Sequence, residues 1–248
     1  MKIIKFERNK QPMNGILEGD EVFNLIGNII GNFEKGDRLC GIDDIRLRPP
    51  IKPGTVLGVG SNYYGLFDHM DIKMPKEPSI FLKAASCVIG HEEDIVLPGY
   101  SDDVRFEGEL AVVIKKHAEY VSEENAMDYV LGFLCANDLT VYDITDQFPT
   151  RNKCFYTSCP LGPCITTGID SNNLNIQTRL NGEIVSEGST KEMVFSIGQL
   201  INYITGFMSL EPLDVILTGT PSRGQKLSPG DIVEIEIEGI GILRNKAT

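Results

Sequence analysis

The sequence predicts an α+β fold rich in strands, with a few peripheral helices and a small N-terminal module. Three observations predict it. The run Ile232 to Glu238 alternates apolar and acidic residues with period two, the pattern of a half-buried antiparallel strand. Asn181-Gly182 separates two alternating segments within Ile176 to Val185, the strongest short hairpin signal. Helical signals are few, the clearest being the capping box Ser196-Ile197-Gly198-Gln199 followed by Leu200, Ile201, Ile204 and Met208. At 248 residues, 42% hydrophobic and 23% charged, the chain has the composition of an ordinary globular protein.

In chain order, residues 1–47 read as a small module of short β-type runs, Lys2 to Phe6 and Glu21 to Leu25, with turns at Met13-Asn14-Gly15 and Glu18-Gly19-Asp20. Three prolines in Arg48 to Gly54 predict an extended connection into a larger unit, residues 48–248. Thr55 to Gly60 reads as a buried strand, and it lacks the third glycine of a dinucleotide-binding turn. Asn62 to Asp71 fits a short helix or loop that sets Leu66 and His69 one turn apart. Ser79 to Lys83 is an apolar run ending in a lysine, which either snorkels to solvent or presents its ammonium to a carboxylate. Ser122 followed by Glu123 and Glu124 opens a helix, which leads into a strand carrying Asp138, Thr140 and Tyr142 on one face. Asp214 to Pro221 returns to strand, and Ser228-Pro229-Gly230-Asp231 is a turn.

The chemistry concentrates in Arg105 to Ile114. Strand parity turns Glu107 and Glu109 to one face while Leu110, Val112 and Ile114 point into a core. Two close acids repel, and a cation between them relieves the repulsion. With Asp138 as a third oxygen donor that cation is hard and divalent, Mg2+ first, then Mn2+ or Ca2+. A solvated acidic edge is the competing reading of the same spacing.

A formal net charge of -12 argues against nucleic acid and anionic membrane as partners. Charge interrupts the first apolar residues too soon for a signal peptide, and no apolar run is long enough to span a membrane, so a cytoplasmic location is expected. Cys154, Cys159 and Cys164 are spaced five apart, which matches no zinc pattern, and the six cysteines read as reduced structural thiols.

The ordered set Val59-Gly60-Ser61-Asn62-Tyr63, Phe81-Leu82-Lys83, Glu107-Gly108-Glu109-Leu110, Ala136-Asn137-Asp138, Cys159-Pro160-Leu161-Gly162-Pro163, Asn181-Gly182-Glu183, Leu217-Thr218-Gly219-Thr220-Pro221 and Pro229-Gly230-Asp231 resembles the fumarylacetoacetate hydrolase family. The resemblance implies a mixed β-sandwich or β-roll in residues 48–248, usually a homodimer, and Mg2+ held by Glu107, Glu109 and Asp138. It places Lys153 in the catalytic group, and Asn62, Tyr63, Lys83, Tyr142, Thr190 and Thr220 at substrate-contacting positions. Members act on 2-oxo, β-diketo or dienol acids, whose carboxylate and keto or enol oxygen chelate the metal.

Two positions depart from the family pattern. Hydrolytic and many decarboxylating members carry a water-activating His and, one turn later, a Glu; Leu66 and His69 stand there, which leaves His69 as the candidate proton shuttle. The arginine that commonly follows the metal-binding Asp by four residues is Tyr142, a phenol that cannot form a bidentate ion pair. The short connection Thr220 to Asp231 resembles the isomerase/decarboxylase members of the homoprotocatechuate pathway. The expected activity is therefore isomerisation or decarboxylation of a small 2-oxo or 2-hydroxy-dienoic acid. The alternatives are C–C hydrolysis of an acylpyruvate-like compound, or a silent homologue that binds metal and ligand only.

Overall fold

In a computed structural model the chain is described over residues 1–67, 73–146 and 149–248, together with the helical backbone of 68–70. Its frame is a twelve-stranded sheet whose centre is Gly108–Ile114, buried on both faces because both parities are apolar beyond Glu109. Leu110, Val112 and Ile114 enter one core with Ile176, Ile235 and Ile237. Ala111 and Val113 enter a second with Val56, Leu134, Leu161 and Leu217. Val130–Asn137 pairs with the central strand antiparallel on one side and Val215–Leu217 on the other. Val56–Gly60 lies parallel to Val215–Leu217, and Ser79–Lys83 closes that edge.

A four-stranded antiparallel sheet, in the order Glu183–Ser189, Asn175–Leu180, Ile232–Ile237 and Gly241–Lys246, packs over the first core. A three-stranded sheet of Thr140–Val141, Val104–Phe106 and Gln225–Lys226 sits where the chain leaves the central strand. The result is the β-rich, layered α+β architecture the sequence predicts. The hairpin turn is as expected, with Asn181 and Gly182 both at positive φ, 52° and 85°. The capping box is made too: Gln199 N donates to Ser196 Oγ at 3.2 Å and Ser196 N to Gln199 Oε1 at 2.9 Å, opening the helix Ile197–Thr205.

Two expectations are corrected. Met13-Asn14-Gly15 is no turn but the interior of the strand Gln11–Glu18; the chain reverses at Asn9 and Lys10, both at positive φ. Gly15 is needed for close packing, since a Cβ there would meet the Phe6 ring at 2.8 Å and the Phe23 carbonyl at 2.9 Å. The segment after Ser122 is a 3-10 helix, Glu123–Tyr129, and not an α-helix. Within the first 47 residues, Lys2–Arg8 pairs with Cys159–Thr166 and so extends the large sheet.

Candidate metal centre and its pocket

The Glu-Gly-Glu step is where the chain passes from the three-stranded sheet to the central one. Val104–Phe106 belongs to the former, Gly108–Ile114 to the latter, and Glu107 lies between them. Gly108 turns its Cα toward the covering sheet, where a Cβ would come within 2.3 Å of Thr178 Oγ1 and 3.2 Å of Ile235 Cγ1. Glycine lets the sheets close at that point, and parity then sends both glutamates the other way.

Glu107 is fixed at backbone and side chain: its N–H donates to Asn137 Oδ1 at 3.0 Å, and its carbonyl accepts from Asp138 N at 2.9 Å. Its carboxylate accepts from the Tyr142 hydroxyl at 2.8 Å and from Lys153 Nζ at 3.2 Å. Glu109 is 3% exposed and accepts from Gly219 N at 2.7 Å. Asp138, 1% exposed, is held between two lysines: Lys83 Nζ donates to Oδ1 at 2.6 Å, and Lys153 Nζ donates to Oδ2.

One oxygen from each of Glu107, Glu109 and Asp138 lies within 4.8 Å of the others. Three carboxylates face two ammonium groups here, so one negative charge stays uncompensated. Its consequences fall on Glu109. Burial, and then the charges of Asp138 and Glu107, push its carboxyl well above the usual carboxylate range. Burial would raise Asp138 as well, but the adjacent Lys153 and Lys83 ammonium groups reverse the effect and lower it. Burial works against the charged form of Lys153, and the Asp138 and Glu107 carboxylates outweigh it, so its ammonium is held charged. An ammonium already bridges two of the three acids, and every donor atom is a hard oxygen, so the set fits a divalent cation.

These groups line a cavity of about 540 Å3. Of the residues predicted from sequence, Glu107, Glu109, Asp138, Lys153, Tyr142 and Thr220 face it. Leu66 does so too, beside Ile80 and Phe81, and Lys153 Nζ lies 4.7 Å from the centroid of the Phe81 ring. Lys83, Asn62, Tyr63 and Thr190 are buried and are not among the lining residues. Lys83 spends its ammonium on Asp138 and on the Leu139 and Lys153 carbonyls, at 3.3 and 2.6 Å. Asn62 is fully buried as a clamp: its amide donates to the Thr218 and Phe195 carbonyls and accepts from Phe195 N. Tyr63 is fully buried, and burial followed by the Glu109 charge pushes its phenol upward. Thr190 Oγ1 accepts from Leu174 N at 2.8 Å, which ties two loops together. The His69 side chain lies outside the described residues. Sequence reading missed Arg223, which lines the cavity from the loop after Thr220. A bare Ser-Arg-Gly in a turn carries no signal of what it faces.

The family model described as fumarylacetoacetate (FAA) hydrolase C-terminal matches residues 55–248. By sequence the chain is 44% identical over 226 residues to an uncharacterised protein of Archaeoglobus fulgidus, across 88% of this chain and 90% of that protein. It is 39% identical over 214 residues to the human mitochondrial oxaloacetate tautomerase FAHD2A, across 81% of this chain and 68% of that protein. By structure it matches the 2-hydroxyhepta-2,4-diene-1,7-dioate isomerase of Mycobacterium marinum with a TM-score of 0.93 at 33% identity, covering 100% of this chain and 98% of the other.

Proposed function

The chain belongs to the fumarylacetoacetate hydrolase family, and on that premise we propose that it is a divalent-metal-dependent enzyme that isomerises or decarboxylates a small 2-oxo or 2-hydroxy-dienoic acid. The observation that carries this reading is the convergence of Glu107, Glu109 and Asp138 on one cavity with a negative charge left over. Those three residues would hold the cation, Mg2+ first and Mn2+ next. Bound there, it would supply a Lewis acid that draws electron density from a chelated carboxylate and keto oxygen, so that the neighbouring carbon loses a proton or CO2 more readily.

The chain's own groups supply the rest. Lys153, held charged beside Asp138 and Glu107, brings a positive charge to the cavity that can favour oxygens on which negative charge develops. Thr220, which also lines the cavity, can donate a hydrogen bond. Burial and then the Glu107 charge keep the Tyr142 phenol protonated, and it donates to Glu107 and fixes that carboxylate. Lys83 and Asn62 act as positioning residues, the first for Asp138 and the second for the Thr218–Gly219 backbone beneath Glu109.

Leu66 supports isomerisation over hydrolysis, because an alkyl side chain faces the cavity where the family resemblance puts a water-activating His. The human relative named above is a tautomerase and the Mycobacterium marinum one an isomerase, which favours the same side. A homodimer belongs to this reading, and sedimentation should give a mass near twice 27.4 kDa. The activity test uses chelator-stripped protein given Mg2+ with oxaloacetate and, separately, acetylpyruvate. Faster enol–keto interconversion or CO2 release than Mg2+ alone, abolished in Glu109→Gln, supports the proposal. Acetate from acetylpyruvate as the main product would replace it with C–C hydrolysis. Oxalate binding without turnover of any oxo acid, dienoic diacids included, would replace it with a silent homologue.

A further inference from the structure

Among the described residues, Arg223 is a cation of this cavity with no acid paired to it. Lys153 donates to Asp138, Glu107 and Thr140. Arg105, which stacks on Tyr142 at 4.6 Å, is held by both oxygens of Asp103 at 2.9 and 2.8 Å. Arg223 lines the same cavity, is exposed, and makes no hydrogen bond or ion pair among the described residues.

The loop that carries it is anchored on both sides of it. Ser222 Oγ donates to Ser186 Oγ at 2.6 Å, and Pro221 sits against Gly188, where a Cβ would come within 2.4 Å of it. Gly224 lies so close to the strand below that its Cβ would stand 2.3 Å from the Phe106 carbonyl, and Gln225 pairs with Phe106. Arg223 is therefore presented over the cavity from a backbone that is already fixed, which lowers the entropy lost when it binds a ligand.

Tyr142 faces the same cavity with a phenol already donating to Glu107, so that wall offers an anion no charge-assisted partner. On the reading above, the cation held by the acids beside Lys153 would take one carboxylate of a ligand. A cavity of about 540 Å3 extends past it to the guanidinium.

We propose that Arg223 is the specificity-determining residue of this pocket and binds the distal carboxylate of a dicarboxylic 2-oxo or dienoic substrate. The inference rests on the metal-dependent oxo-acid reading above and assigns its substrate class. A planar guanidinium pairs with a carboxylate through two parallel N–H donors, whereas a monocarboxylic acid would leave it facing water.

The test is calorimetric binding to Mg2+-loaded protein of 2-oxo diacids of increasing length, 2-oxoglutarate and 2-oxoadipate among them, each beside the monoacid that lacks the distal carboxylate. At the length the wild type binds best, the diacid should bind about 10-fold or more tightly than its monoacid. Arg223→Met should remove that preference and leave the monoacid Kd within about twofold, and Arg223→Lys should retain part of it. Arg223 is exposed, so its replacement leaves the core intact. A wild type with no diacid preference at any length, or a preference that survives in Arg223→Met, overturns the inference alone. If neither class binds, the parent reading falls and takes this one with it.

Discussion

Glu109 is the residue on which the site's electrostatics turn, because it is buried beside two other acids and its direct partner is a backbone N–H. Glu109→Gln keeps an oxygen for Gly219 N and removes the charge. Without metal the variant should be more stable than wild type by roughly 1–2 kcal/mol in urea unfolding, while the gain that Mg2+ gives wild type disappears. The sign of the pH effect follows from the raised carboxyl. Below the unfolded value of 4.5 Glu109 is protonated in both states and contributes nothing; as pH rises past it the metal-free fold loses stability, until the folded group ionises as well. Asp138 is shifted downward, so its stabilising contribution is already complete above 3.8. Between about pH 5 and 8 the melting temperature with Mg2+ should therefore pull away from that with chelator as pH rises, since protons compete with the cation at Glu109. Lys83→Met should cost about 3–5 kcal/mol, because it strips a buried carboxylate of one of its two cations.

The strand Gly108–Ile114 and the hairpin above it set the site's geometry through a contact of glycine with Thr178 and Ile235. Gly108→Ala should cost about 1–3 kcal/mol and weaken Mg2+ binding by shifting Glu107 and Glu109 together. Adding Thr178→Ala should recover part of both losses, as read by denaturation and calorimetry. The strand's parity, the Asn181-Gly182 turn and the Ser196 capping box were legible in the sequence because each is a local pattern with a local cause. Gly15 was misread for the opposite reason: its glycine answers to Phe6 and Phe23 across the sheet, and no window along the chain contains that contact. The acids of the site could be read for the same local reason, as parity joined Glu107 to Glu109. The partner of the Lys83 ammonium, Asp138, lies 55 positions along the chain, so no local pattern pairs them. Arg223 became visible only once the loop that carries it was seen anchored to Ser186 and Phe106.

Among the described residues one large sheet packs with two smaller ones, and the N-terminal strands belong to the large one. Ile3 and Ile4 enter different cores, and Lys2–Arg8 covers the flank of Cys159–Thr166. A chain lacking residues 1–47 would expose that flank and should fail to give a cooperative melting transition; a sharp transition would instead show that residues 48–248 fold alone. Among the described residues no helix is long and apolar enough to cross a membrane. The fold brings residues from distant parts of the chain to a single cavity, and the central claim is that its three acids bind a divalent cation. The most direct measurement is calorimetric titration of Mg2+ into chelator-stripped wild type and into the Glu107→Gln/Glu109→Gln double variant. The account predicts one site per chain in the wild type and no measurable binding in the variant. Equal binding by both proteins, or none by the wild type, would contradict it.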